Sequence, residues 1–287
     1  MLRGLRHKVQ VGVAWNGERC DALIALHARR SHASVLKFFE TGKPLVVTLT
    51  GTDLYRDLPG SAEARASLEM ARRVIVLQDT AFESLDPPIR RKTRVVYQSA
   101  DPRLRPAPPK NVFRIAVVAH LRAEKDPLRA VAALAHLPGK AMEVVQIGNS
   151  LDEWFGKEAQ AWAAREPRYR LLGGLSHRQA LGWMAKSHVL VVSSAMEGGA
   201  NVIAEAARIG TPVLASRVAG NVGMLGESYP GYYPLADDAA LSLLLDRAAS
   251  DGRFYASLKK ALAKRRQLFA PAAERASLAR VLREALH

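Results

Sequence analysis

Two carboxylates stand eight residues apart in M-E-G-G-A-N-V-I-A-E-A, Glu197 and Glu205. Carboxylates accept hydrogen bonds from hydroxyls, so such a pair suits a sugar or a ribose. The apolar run H-V-L-V-V-S-S before Glu197 reads as a buried parallel strand. Gly198 and Gly199 let the chain turn and let backbone approach a ligand. Ala200 to Arg208 reads as a helix, with Val202, Ala206 and Ile209 near one face and Gly210-Thr211-Pro212 as its stop. Glu197 then falls at a strand's carboxyl end, where open α/β sheets keep their ligands, and Glu205 two turns into the next helix. The start of that helix, with Ala200 and Asn201, offers free N–H groups to a phosphate. The same spacing is also met by one solvated loop glutamate and one surface helix glutamate.

Other polar clusters follow apolar runs. L-H-A-R-R-S-H-A-S (Leu26 to Ser34) presents His27, Arg29 and Arg30 ahead of a helix that Ser31 would cap. Arginine forks beside a helix start suit a phosphate-like anion. The next apolar run ends in Gly51, Thr52 and Asp53, which offer close approach, a hydroxyl and a carboxylate. A solvated basic turn and an aspartate helix cap would give the same letters. Further on, His120, Arg122 and Lys125 follow an apolar run and suit the charge developing on a diphosphate leaving group. Gly220-Asn221-Val222-Gly223 follows another. There is no Walker A motif, no G-x-G-x-x-G after a strand and no metal-ligand spacing, so ATPase, dinucleotide dehydrogenase and zinc readings fall away.

The elements that carry these residues alternate. Strands are expected at Lys8–Ala14, Asp21–Leu26, Pro44–Leu49, Arg73–Leu77 and Arg94–Tyr97, with helices at Ser31–Thr41 and Ser61–Ala71. Asp101 to Asn111 holds four prolines, which exclude helix interior and central strand, and marks a domain boundary. Beyond it strands at Phe113–Ala119, Met142–Ile147, Tyr169–Leu172, Val189–Val192 and Val213–Ala215 alternate with helices, and from Asp238 the chain is helical. Such alternation argues two Rossmann-like α/β domains with parallel sheets, facing across a cleft. Met1 to Arg6 reads as the end of a helix, so the first domain lacks its opening strand and loop. An exposed apolar sheet edge or face is expected near Lys8–Ala14. The expected domains are 1–103, 104–270 and a last helix at 271–287.

The chain has 287 residues, a formal charge of +15 and a single cysteine, Cys20. Such a charge attracts anions of any kind. Aromatic residues are only 6%, so no stacking series for single-stranded nucleic acid is present, although a basic nucleic-acid-binding protein stays open. No run reaches the roughly 18 apolar residues of a membrane span, and the lone cysteine points to a cytoplasmic setting.

The E-x7-E pair, Q-S-A-D (Gln98 to Asp101), L-x-x-E-K (Leu121 to Lys125) and G-T-P-V (Gly210 to Val213) together resemble the nucleotide-sugar-dependent glycosyltransferases of the GT-B fold, family-4-like group. That resemblance implies a GT-B architecture and a nucleotide sugar in the second domain. Glu205 would hold the ribose, Glu197 the donor sugar and Lys125 the diphosphate. Gly198, Gly199, Ala200 and Asn201 would complete the donor site. Ala119-His120 stands where the group has glycine-arginine, so either His120 or Arg122 takes the arginine's task. A narrower resemblance, to selenosugar synthases of selenoneine biosynthesis, rests on L-H-A-R-R-S-x-A-S, L-T-G-T-D-L-Y-R-D, H-L-R-x-E-K, M-E-G-G-A and G-N-V-G-M-L-G. It implies transfer from a UDP-sugar, typically UDP-N-acetylglucosamine, to selenophosphate, with no metal or other cofactor. His27 would act at the reacting centre with Glu197, and Arg29, Arg30, Gly51, Thr52, Asp53 and Asn221 would hold the acceptor. A functional link to a selenophosphate supplier would follow. A UDP-sugar transferase with a hydroxyl acceptor, or a nucleotide-sugar epimerase, fits the broader resemblance.

Overall fold

The computed structural model describes residues 1–286 and divides into two compact units. Unit 1 comprises Met1–Ser99, Glu197–Gly199 and the segment from Leu268; unit 2 comprises Ala100–Met196 and Ala200–Gln267. Both are Rossmann-like. No helix among the described residues is long and apolar enough to cross a membrane.

In unit 1 the order is β1 (Leu23–Leu26), α1 (His32–Phe39), β2 (Leu45–Thr48), α2 (Ala62–Met70), β3 (Arg73–Val76), α3 (Pro87–Arg91) and β4 (Thr93–Val95). The four strands pair in parallel in that same order. Side chains alternate across a strand, so β2 serves two cores. Val47 packs with Val35, Phe38 and Leu68 from α1 and α2, while Val46 packs with Val281 and Ala285 of the C-terminal helix Pro271–Leu286. That helix is pinned by Arg73 and Arg94, which reach Glu284 at 3.0 and 2.9 Å.

Lys8–Ala14 differs from expectation. It forms no strand; Val11 and Val13 are exposed, but on an irregular segment rather than on a sheet. Alternating valines supply a face, whereas a strand exists only through ladder bonds to a neighbour, and this segment has none with β1. The chain is fastened after it, where Trp15 packs edge-on against Phe38 and its backbone N–H donates to Ser34 Oγ at 3.0 Å.

No helix or strand forms between Val95 and Phe113, as the prolines require. Unit 2 then runs β5 (Phe113–Val118), α4 (Arg129–Ala135), β6 (Met142–Ile147), α5 (Glu153–Arg165), β7 (Tyr169–Leu171), α6 (His177–Ala185), β8 (Val189–Val192), α7 (Asn201–Ile209), β9 (Val213–Ser216), α8 (Ala219–Leu225), β10 (Tyr232–Tyr233), α9 (Asp238–Ser250) and α10 (Gly252–Arg265). The C-terminal helix of unit 1 is α11 (Pro271–Leu286). The unit 2 sheet is parallel with order β10-β9-β8-β5-β6-β7. The first strand, β5, therefore has later strands on both sides, and the direction of winding reverses between β5 and β8. In open α/β sheets that reversal is where a crevice opens outside the carboxyl ends of the strands.

Candidate active site

The segments that follow β5 and β8 carry the expected donor-side residues. After β5 the chain passes His120 into a short 3-10 turn, Ala123–Lys125, with Arg122 at its start and Asp126 left-handed at φ 41° at its end. Leu121 bridges Ser150, and the Asn149 N–H donates to His120 Nδ1 at 3.1 Å, which leaves the proton of a neutral ring on Nε2. A Cβ on Gly148 would lie 2.0 Å from the Ala119 carbonyl oxygen, so only glycine lets these two strand ends approach. Arg122 buries its Nε without a partner.

The loop after β8 is joined to this one directly: the Ala195 N–H donates to the Glu124 carbonyl at 2.9 Å. One hydrogen bond thus ties the first residues after β8 to the Arg122–Lys125 turn at the point where the sheet reverses. Helix α7 begins at Asn201, and its cap position Ala200 supplies no side-chain acceptor; the Ala200 carbonyl accepts from the Ile203 N–H at 2.9 Å. Its dipole favours an anion there. Its buried face is Ile203, Ala204, Ala206, Ala207 and Ile209; of the stripe expected from the sequence, Ala206 and Ile209 lie on it, while Val202 is half-buried. Glu205 lies about one turn into α7 rather than two, since four residues from Asn201 make little more than a turn. Its Oε1 is 2.7 Å from Nε2 of His177, the first residue of α6.

In unit 1 the residues after β1 converge on one histidine. His27 is buried and left-handed at φ 76°. The Arg30 N–H donates to its Nδ1 at 3.2 Å, so a neutral ring carries its proton on Nε2, toward the Thr52 hydroxyl at 3.3 Å. Ser31 is the cap residue of α1, but its hydroxyl donates back to the Leu26 carbonyl at 2.6 Å and caps nothing. Asp53 is fully buried and accepts from the Ala28 N–H at 2.9 Å, the Thr50 N–H at 2.5 Å and the Thr50 hydroxyl at 2.8 Å. Gly51-Thr52-Asp53 is not an open loop; it leads into a π-helical turn, Asp53–Asp57. Such turns often mark functional positions. This one sets Asp57 against His27 Nε2 (3.6 Å) and Arg29 (3.6 Å), while Arg30 stays exposed. Glu197–Gly199 groups with this unit, where a Cβ on Gly51 would lie 2.7 Å from the Gly198 nitrogen, so both glycines are obligatory. Glu197 itself is buried.

Asn221 is not in a loop. It lies inside α8, fully buried, and its amide donates to Ser216. Three residues that matter to this geometry were not among the sequence candidates: Asp57, His177 and Ser216. Asp57 sits four residues after Asp53 in the quoted L-T-G-T-D-L-Y-R-D, a helical spacing that would have flagged it. Nothing in the sequence pairs His177 with Glu205.

Residues 102–265 match the family model described as glycosyl transferases, group 1. That span is more than half of the chain, and the chain belongs to this family. Its fold is the GT-B type. HepE of Anabaena, solved in complex with UDP and glucose, is 20% identical with a TM-score of 0.76, over 92% of this chain and 78% of HepE. Sucrose-phosphate synthase of Thermosynechococcus elongatus is 20% identical with a TM-score of 0.77, over 92% of this chain and 73% of the synthase. α,α-Trehalose 6-phosphate synthase of Burkholderia multivorans is 15% identical with a TM-score of 0.73, over 91% and 71%. At these identities the likeness is one of fold.

Proposed function

We propose that the chain transfers the sugar of a UDP-sugar to a small acceptor, with the donor in unit 2. The observation that carries this is the Ala195–Glu124 hydrogen bond, which ties the end of β8 to the Arg122–Lys125 turn at the sheet's reversal point. Glu205 accepts the ribose hydroxyls. Lys125 and Arg122, with the Gly198–Ala200 turn and the start of α7 at Asn201, offset the negative charge of the departing diphosphate. Glu197 contacts the donor sugar. This arrangement asks for no cofactor. HepE, solved with UDP-glucose, supports the choice of UDP. Release of UDP from a panel of UDP-sugars, with and without acceptor, tests the reading.

For the acceptor a hydroxyl compound fits best. Asp53 and Asp57 place two carboxylates about His27, within 3.8 and 3.6 Å, and Arg29 already answers Asp57. A carboxylate beside the acceptor suits a hydroxyl proton and repels an anion. A second reading takes selenophosphate as the acceptor, forming a selenosugar. It is favoured by the long strings shared with selenosugar synthases and by the exposed guanidinium groups of Arg29 and Arg30. The selenium anion is itself the nucleophile and needs no base. Sugar transfer from UDP-N-acetylglucosamine in the presence of selenophosphate, followed by product mass, separates the two acceptors.

A further inference from the structure

Behind the loop that follows β8 lies a chain of buried polar groups. Asn221, Ser216, Ser194 and Ser193 are each no more than 2% exposed. The Asn221 amide donates to the Ser216 carbonyl at 3.0 Å and to the Ser216 hydroxyl at 3.1 Å. The Ser216 hydroxyl has one proton and gives it to the Ser194 carbonyl at 2.6 Å. Each bond polarises the next, in a low-dielectric interior where such a series gains strength. At the far end Arg265 of α10 donates to the Gly223 and Met224 carbonyls at 2.7 and 3.0 Å, which fixes α8 itself.

The amide's orientation follows from this series. Turned the other way, its oxygen would meet the Ser216 carbonyl oxygen. Held as it is, Asn221 leaves Oδ1 buried with no partner. A buried acceptor without a partner is costly, and fully buried polar groups are normally satisfied. The donor end of the amide therefore sets its position.

We infer that Asn221 and Ser216 are positioning residues that fix the loop bearing Glu197 by holding the Ser194 carbonyl. One residue later the Ala195 N–H holds Glu124 at 2.9 Å. The loop is thus gripped from behind by Ser216 and from the side by the turn that carries Lys125. Asn221 touches no substrate in this role. The inference rests on the donor-site reading only for its effect on turnover.

The test compares Ser216→Ala, Asn221→Leu and the double variant with the parent. Near-attack geometry lost by about an ångström costs roughly 100-fold in rate. Each single variant should lower kcat by roughly 10- to 100-fold while UDP affinity stays near parental. Because the two groups act in series, the double variant should lose little more than the worse single. Ser216→Thr, which keeps the hydroxyl, should recover most of the loss. Hydrogen exchange supplies a readout independent of activity: the segment 193–200 should exchange faster in both single variants, with the strands of unit 2 unchanged. Parental kcat and parental exchange in that segment overturn the inference. So does faster exchange across all of unit 2 with a matching loss of UDP affinity, which marks a merely structural role. If the parent turns over no UDP-sugar, the functional reading falls, and exchange in segment 193–200 alone then decides the relay.

Discussion

His177 Nε2 lies 2.7 Å from Glu205 Oε1, joining the first residue of α6 to the carboxylate expected to hold the ribose. The histidine is 74% exposed and the glutamate side chain 14%, so solvent reaches the pair from the histidine side. His177 holds one oxygen of the carboxylate, and the proposed ribose contact falls to the other.

Glu205→Gln should weaken UDP by roughly 1.5–3 kcal/mol, the worth of a charge-assisted hydrogen bond. His177→Ala should cost less than about 1 kcal/mol, since exposed ion pairs contribute little. Titration calorimetry with UDP checks both. An equal loss in the two variants would make the pair, not the carboxylate alone, the ribose contact.

Glu197→Ala should lower turnover more than nucleotide affinity, because its proposed partner is the donor sugar. Steady-state kinetics with the UDP-sugar varied should show kcat falling and UDP inhibition nearly parental. Loss of UDP affinity without loss of kcat would remove Glu197 from the sugar.

Arg29→Ala, Arg30→Ala and Asp57→Asn separate the acceptor readings. With a hydroxyl acceptor, Asp57→Asn should lower kcat/KM by roughly 10²–10⁴-fold, the range of a general base, and the arginine variants should matter little. With selenophosphate, Arg29→Ala should raise its KM, and Asp57→Asn, by freeing Arg29, should lower it. In either case UDP binding stays parental. Unchanged acceptor kinetics in all three variants would place the acceptor elsewhere.

Glu284 holds α11 onto unit 1, and hydrogen bonds from Arg73, then from Arg94, keep its carboxyl below the ordinary glutamate range. A depressed folded-state value gives stability that is present above the unfolded value and is lost as pH falls through the folded one. Glu284→Gln should therefore lower Tm at neutral pH and flatten its decline below about pH 4.3, the unfolded reference. Thermal melts of both proteins across pH 3 to 7 read this. A parallel decline in the two would show that Glu284 adds nothing.

Much of this arrangement was legible in the letters. Runs such as Pro44–Leu49 and Val189–Val192 are apolar on both faces, which only a sheet covered on two sides explains, and both became parallel strands. The prolines from Pro102 to Pro109 allowed nothing but an irregular connection. Lys8–Ala14 carries an equally good alternation and forms no strand, because alternation is local and pairing is not. Gly220-Asn221-Val222-Gly223 has the letters of a turn, yet it is helix α8, in which every residue from Gly220 to Leu225 is buried. Small residues there serve close packing, and propensity yields to it. The carboxylate pair, the lysine turn and the His27 cluster could be picked out by type and spacing. Their partners could not: His177 with Glu205, Ser216 with Ser194 and Ala195 with Glu124 are set by which strands lie side by side.

The central claim is that unit 2 holds a UDP-sugar where its sheet reverses between β5 and β8. The most direct measurement is hydrogen exchange of the intact chain with and without saturating UDP. Protection should appear in segments 119–126 and 193–205 and nowhere else in unit 2 to the same degree. Protection confined to other segments, or none at UDP concentrations that saturate by calorimetry, would contradict the account.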